Sequence, residues 1–470
     1  MARARETWIL NGLLVTQDSA RTVRPGCLRV VDGTITEILS RPPKKLPAGA
    51  QRFDAAGLAI LPGLVQAHVH LCQTLFRNLA DDLELLEWLR TRIWPLEASH
   101  TEETLYLSAL AGIAECLSTG TTAVLDMGTV KHTEAVLQAV ADTGIRASVG
   151  KCLMDHPETT PTFLRESSDR ALSEAVELHK RWNGRDGGRI AVSYAPRFVV
   201  SCTEGLLKKV ASLSRDQGAV IHTHASENRS EIELVRKLTG RDNVEYLHGL
   251  GFTSPRLVLA HCVWLTDAEK KLLLQTGTHV AHCPGSNLKL ASGVAPVPEF
   301  LKMGINVALG CDGAPCNNSL DAFGEMRLAA TVHKPGFGPK AVRAQEALDL
   351  ATLGGAKALG WEKTIGSLEV GKRADFFAID LLDPAVAAPV TTGLKPGAPA
   401  GPAKDPAALI SSLVYAASGA QVRATWVDGR LVYRKAATAP WFLSTALKSP
   451  LMGRIHSAQA KVLQRASKLV

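Results

Sequence analysis

Between about residues 61 and 365 the chain repeats one rhythm eight times: a short apolar, β-branched run, a polar turn, then a helix-length amphipathic segment. The runs are "AILPGLVQAHVHL", "TTAVLDMG", "RASVGKCLMD", "RIAVSYAPRF", "AVIHTHASE", "RLVLAHCVWL", "HVAHCPGSN" and "INVALGCDG". Near-continuous apolar strands alternating with helices predict a parallel sheet, and eight such units predict a closed (β/α)8, or TIM, barrel over residues 61–364. An open doubly wound sheet is the competing topology, and the lack of G-x-G-x-x-G after the first strand lowers it. Segments such as "TEGLLKKVASLSRDQG" and "TDAEKKLLLQTG" open on Thr and close on Gly, as helix caps do.

The flanks follow a different pattern. Residues 1–60 and 365–435 hold short strand patterns broken by Asn-Gly and Asp-Gly turns, and the two β-rich ends are expected to pair into one small β-domain. Between them, residues 383–408 carry six prolines and read as a mobile surface loop. Residues 436–470 form a basic tail with Lys448, Arg454, Lys461, Arg465 and Lys468 and no acid, expected to be a solvated terminal helix.

Composition narrows the function. The nine cysteines are spread singly without a C-x-x-C pair, which argues for free thiols in a reducing compartment and against a thiolate zinc site. No run approaches 18 apolar residues, and the N-terminal "MARARETWILNGLLV" reads as a strand, so neither a membrane span nor a signal peptide is expected. The formal charge of +8 invites nucleic acid, but the H-x-E plus P-C-x-x-C pairing of polynucleotide deaminases is absent.

Active sites of such barrels form where strands end. The polar residues at those ends are His68, His70, Asp126, Lys151, Asp155, Arg197, His222, His224, Glu227, His261, His282 and Asp312. His68 and His70 alternate on one strand and so share a face. Three imidazoles with a carboxylate suit Zn²⁺ or Fe²⁺; bound water then loses a proton near neutral pH, and Glu227 is a candidate shuttle.

"PGLVQAHVHL", "HTHASEN", "HCPGSNLKLASGVAPV", "GCDGAPCNNSLDAFGEMRLAA", "ATLGGAKALG" and "IGSLEVGKRADF" resemble, in that order, the amidohydrolase superfamily, in its branch of amino-purine deaminases and s-triazine hydrolases. The resemblance implies a distorted (β/α)8 barrel with a small β-sandwich built from both termini. It implies one metal per subunit on His68, His70, His224 and Asp312, with Glu227 as proton shuttle. His261 would polarise the attacked centre, and Asp312 would relay the second proton to departing ammonia. His222 is expected to support the site or pack in the core, and His282 to stand outside it. Lys151, if carboxylated, is the one route to a binuclear centre.

For the substrate the resemblance gives two signals. Gln73, Arg197 and Phe198 look like guanine-deaminase contacts, whereas "SNLKLASGVAPV" and "DGAPCNNSLD" look closer to deaminases of 5′-deoxyadenosine, methylthioadenosine and S-adenosylhomocysteine. Cys316 stands where those enzymes often carry Ser, and Trp88 either walls the pocket or is a buried helix aromatic. The implied protein is a cytoplasmic homo-oligomer, dimer or tetramer, that deaminates a 5′-modified adenosine. Guanine or 8-oxoguanine comes next, s-triazine hydrolysis after it, and a silent scaffold barrel is the reading from another class. Neither nucleic acid nor membrane is a partner.

Overall fold

The computed structural model of the chain describes residues 5–386, 394–395, 397–436, 440–447 and 451–469. Eight parallel strands, each ordered next to its sequence neighbour, run from Leu64–His70 through Thr121–Met127, Arg146–Leu153, Ile190–Pro196, Ile221–Ala225, Leu257–His261 and His279–His282 to Val307–Leu309. The last closes on the first, Leu309 opposite Gln66, and the two-residue strand Asp312–Gly313 continues beside the first with Asp312 opposite Val69. This is the closed TIM barrel. The strands are buried almost throughout and the helices cover them, as a parallel sheet requires.

The termini meet in a second, mixed sheet. Its order runs Trp441–Phe442, Arg430–Arg434, Val422–Val427, Phe376–Ile379, Ala59–Pro62, Glu6–Val15, Val23–Val31, Thr34–Leu39, with Gln51–Asp54 also beside Glu6–Val15. Its inner face is a separate apolar cluster around Ile9, Leu28, Ile60, Phe376 and Trp426. The sheet takes in Trp441–Phe442, inside the stretch expected to be helical tail.

"AILPGLVQAHVHL" is two strands in two sheets, not one. Ala59–Pro62 pairs with Phe376–Ile379 in the terminal sheet, and Leu64–His70 enters the barrel, with Gly63 alone between them. A Cβ on Gly63 would lie 1.9 Å from the Thr122 hydroxyl, so only glycine lets the chain pass that close to the second barrel strand. The Pro/Ala-rich loop falls partly outside the described residues. Where described, it is attached: Val386 and Leu394 are buried, and the Ala400 N–H donates to the Asn11 carbonyl at 3.0 Å.

The terminal helix is Leu451–Ala466, and it is docked rather than solvated: Leu451, Ala458, Val462 and Ala466 are buried on one face. Lys448 of the basic tail lies outside the described residues. Among the described residues no helix is long and apolar enough to cross a membrane.

Candidate active site

Barrel closure brings the first strand's histidines beside the fifth strand's and beside Asp312. His68 Nε2 lies 3.1 Å from Asp312 Oδ1, His70 Nε2 3.4 Å from the same oxygen, and His70 Nε2 3.3 Å from His224 Nε2. The tautomers follow from the far side of each ring. His70 Nδ1 donates to the Met127 carbonyl at 2.9 Å and His224 Nδ1 to the Arg197 carbonyl at 2.7 Å, so both Nε2 atoms carry bare lone pairs. Two such nitrogens facing each other beside a carboxylate repel unless a cation lies between them.

Burial keeps these rings neutral and available as ligands. It pushes His70 down to about 3, with the neighbouring His68 adding to it, and drives His224 well below its ordinary value, with His68 and His70 next as causes. Burial pushes the Asp312 carboxyl up, but His68 beside it, then His261 and His70, hold it well below the usual carboxylate range. His68, His224, His261 and Asp312 together offer four donor atoms within 4.8 Å of one another. His70 suits the fourth position better than His261, because Asn287 Nδ2 donates to His261 Nδ1 at 3.0 Å and leaves the hydrogen on Nε2. The donor set is nitrogen and oxygen, fitting a borderline divalent metal.

That Nε2–H of His261 points at the acids, 3.5 Å from Glu227 Oε2 and 3.9 Å from Asp312 Oδ2. His261 and Asp312 both adopt left-handed backbone, φ 76° and 60°, which turns each side chain towards the site from the strand's end. Non-glycine residues in that region cost about 1–3 kcal/mol each and persist where the surroundings impose them. The Glu227 carboxyl, buried on the loop after the fifth strand, is held well above its ordinary value by burial first and by Asp312 second. It accepts from the Ser292 hydroxyl at 3.4 Å.

The cavity over these groups is lined by His70, Gln73, Arg197, His224, Glu227, His261 and Asp312, under an apolar roof of Leu85, Trp88, Leu89, Phe198 and Leu290. Trp88 is both wall and buried aromatic, its indole N–H donating to the Ala80 carbonyl at 3.0 Å. Cys316 is absent from this wall: it is fully buried behind Asp312, and its thiol donates to the Gly313 carbonyl at 3.1 Å. Its expected substrate contact is corrected to a supporting position.

Gln73 and Arg197 line the cavity, and both donate to one buried acid, Glu97. Arg197 grips Glu97 through both terminal nitrogens, at 2.7 and 3.2 Å, and Gln73 Nε2 donates to Glu97 at 2.8 Å, which leaves Gln73 Oε1 buried without a partner among the described residues. Glu97, in the helix Trp94–Ala98, was not singled out in the sequence, since it lies between the recognisable motifs in "WPLEASH". Ser286 and Asn287, within "HCPGSN", carry no sequence signal of their roles; Ser286 Oγ donates to Asp312 Oδ2 at 2.6 Å.

The other strand-end residues separate from the site. His222 Nε2 lies 2.7 Å from His68 Nδ1, backing that ring. His282 lies tilted against His333 with ring centroids 5.5 Å apart and is not among the clustered donors. Lys151 meets Glu166 and Glu174 at 2.9 and 3.0 Å and donates to the Val130 carbonyl, so the carboxylated bridge of a binuclear centre has no place here. Asp126 accepts from the Leu71 N–H at 2.7 Å and Asp155 from Thr203 and Ser168, both fixing loops.

Known proteins are similar to this one over nearly the whole chain. The 5′-deoxyadenosine deaminase of Methanosarcina mazei is 37% identical over 426 residues, covering 90% of this chain and 92% of the relative. The 5-methylthioadenosine/S-adenosylhomocysteine deaminase of Syntrophobacter fumaroxidans is 38% identical over 429 residues, with 90% and 92% covered. Among solved structures, an adenosine deaminase from Xanthomonas campestris with bound zinc superposes with a TM-score of 0.84 at 30% identity, covering 99% of both chains. Residues 59–432 match the amidohydrolase family, and with relatives at this level of identity the chain belongs to that family.

Proposed function

We propose that this protein is a metal-dependent aminohydrolase that removes the exocyclic amine of an adenosine modified at its 5′ position. The observation that carries the metal dependence is the pair of bare Nε2 atoms on His70 and His224, opposed at 3.3 Å beside Asp312. The substrate class is supported by the names of the two relatives, deaminases of 5′-deoxyadenosine and of 5-methylthioadenosine or S-adenosylhomocysteine.

His68, His70, His224 and Asp312 would hold one ion, Zn²⁺ first and Fe²⁺ second. When bound, it would lower the pKa of a coordinated water towards neutrality. Glu227, with its raised proton affinity, takes a proton from the attacking water and delivers it to the ring nitrogen next to the attacked carbon. His261 donates its Nε2–H to the oxygen being added, its tautomer set by Asn287. Asp312 then passes the second proton to the amine, which leaves as ammonia as the ring carbonyl forms. Water is consumed, a C–N bond breaks and a C–O bond forms.

Guanine ranks below the nucleosides because the Arg197 and Gln73 donors that would read its edge are turned to Glu97. The nine free cysteines, all buried, support a reducing, cytoplasmic setting, and a homo-oligomer is part of the same reading. The test is metal analysis of the purified protein. It is followed by ammonia release from adenosine, 5′-deoxyadenosine, methylthioadenosine, S-adenosylhomocysteine, guanine, 8-oxoguanine and melamine. The expected result is about one metal per chain and the highest kcat/KM on a 5′-modified adenosine. Turnover of guanine with none of any nucleoside overturns it.

A further inference from the structure

The terminal helix Leu451–Ala466 packs against the tight turn Leu71–Phe76, the helix Trp94–Ala98 and the helix Glu102–Ser118. The first carries Gln73, on the cavity wall, and the second Glu97, the buried acid that Gln73 and Arg197 of that wall share. Two hydrogen bonds reach across. Gln459 Nε2 donates to the Leu75 carbonyl at 3.0 Å, and Arg465 Nε donates to the Ser99 carbonyl at 2.6 Å. Each accepting carbonyl lies two residues past one of these side chains, Leu75 past Gln73 and Ser99 past Glu97.

These carbonyls belong to irregular or terminal backbone. Ser99 ends its helix, where carbonyls have no onward partner within the helix. Arg465 also approaches the Thr104 hydroxyl at 3.5 Å, and Lys461 meets Glu103 at 3.3 Å, so the helix registers on the segment that follows Ser99 as well. The apolar stripe Leu451, Ala458, Val462 and Ala466 would seat the helix with or without those two donors. What Gln459 and Arg465 add is position.

We infer that the C-terminal helix is a positioning element for substrate: through Gln459 and Arg465 it fixes the two backbone segments that set Gln73 and Glu97, and thereby Arg197, against the bound ligand. The basic tail thus has a role that needs no nucleic acid. His70 directly precedes the first of these segments, but its ring is held by its own bond to the Met127 carbonyl, and neither Gln459 nor Arg465 reaches a metal ligand. The inference uses the proposed deaminase activity as its kinetic readout, and a second readout is independent of it.

The experiment compares the full-length protein with Gln459→Ala/Arg465→Ala, with Arg465→Lys, and with a chain ending at Leu447. KM for the best nucleoside is expected to rise about fivefold to tenfold in the double variant, with kcat and metal content kept. Arg465→Lys, which retains a donor for the Ser99 carbonyl, falls between it and the parent. Hydrogen exchange, which needs no substrate, should quicken over residues 71–77 and 94–105 and remain unchanged over the barrel strands. The truncation should show the same pattern more strongly; if it does not fold, the double variant decides. An unmoved KM with unmoved exchange overturns the inference, as does a parallel loss of kcat and metal. Should the parent release ammonia from no nucleoside, the functional reading fails while the exchange measurement still decides the helix's role.

Discussion

Glu227 combines two properties that a proton shuttle needs, a raised proton affinity and a place beside both His261 and Asp312, and one substitution separates them from metal binding. Glu227→Gln keeps the side chain's size but cannot carry the proton, so kcat is expected to fall about 10²- to 10⁴-fold. Metal content by atomic absorption should stay at the parent value, because Glu227 is outside the donor set. Loss of metal in this variant would move Glu227 among the ligands. At this scale the sequence was informative where chemistry needs a residue type at a fixed spacing, as in His68-x-His70 and His224 with Glu227. It was uninformative where the role depends on what a side chain meets across the fold. Glu97 looks like any helix acid until Arg197 and Gln73 converge on it, and Cys316 turns out of the pocket because of the local path after Asp312.

The short helix Pro284–Lys289 shows how one element serves two catalytic side chains at once. Ser286 holds Asp312 Oδ2 and its neighbour Asn287 holds His261 Nδ1, while the buried Glu325 anchors the helix by accepting from the Gly285 N–H at 3.1 Å. Asn287→Ala frees His261 to place its hydrogen on either nitrogen. We expect kcat to fall about 10- to 100-fold with KM little changed, as when other supporting partners of an imidazole are removed. A change in KM alone would mean that Asn287 touches substrate. Elements that rest on hydrophobic periodicity were legible, all eight barrel strands among them. The break at Gly63 was not, because an apolar run looks the same whether it continues in one sheet or passes into another. The docking of the terminal helix was hidden for a related reason: two of its four buried residues are alanines and its polar face is what the sequence displays.

Across the whole molecule, neutral buried imidazoles make stability depend on pH. The barrel and the terminal sheet are joined at neutral pH by Arg146, whose guanidinium reaches Asp375 at 2.7 Å and Asp428 at 2.7 Å, a buried cluster from three distant parts of the chain. Inside the same fold, burial pushes His100, His279 and His333 each down to about 4 from an ordinary 6.5. None is a candidate ligand. Between pH 6.5 and 4 the unfolded chain binds a proton at each of these positions that the folded chain refuses, so stability rises with pH there and is lost as pH falls. These three rings by themselves lower the melting temperature by roughly 3–6 °C between pH 7 and pH 5, against the opposite contribution of the buried carboxyls of Asp126 and Glu325, pushed up to about 7. Chelator should lower the whole curve by removing the ligand that stabilises the folded state, and should add to the loss on acidification, because the freed rings of His70 and His224 also refuse the proton that the unfolded chain binds. His333→Gln removes one of these rings, so its melting temperature should fall less than the parent's between pH 7 and pH 5. If parent and His333→Gln change by the same amount over that range, this ring is solvated and titrates normally.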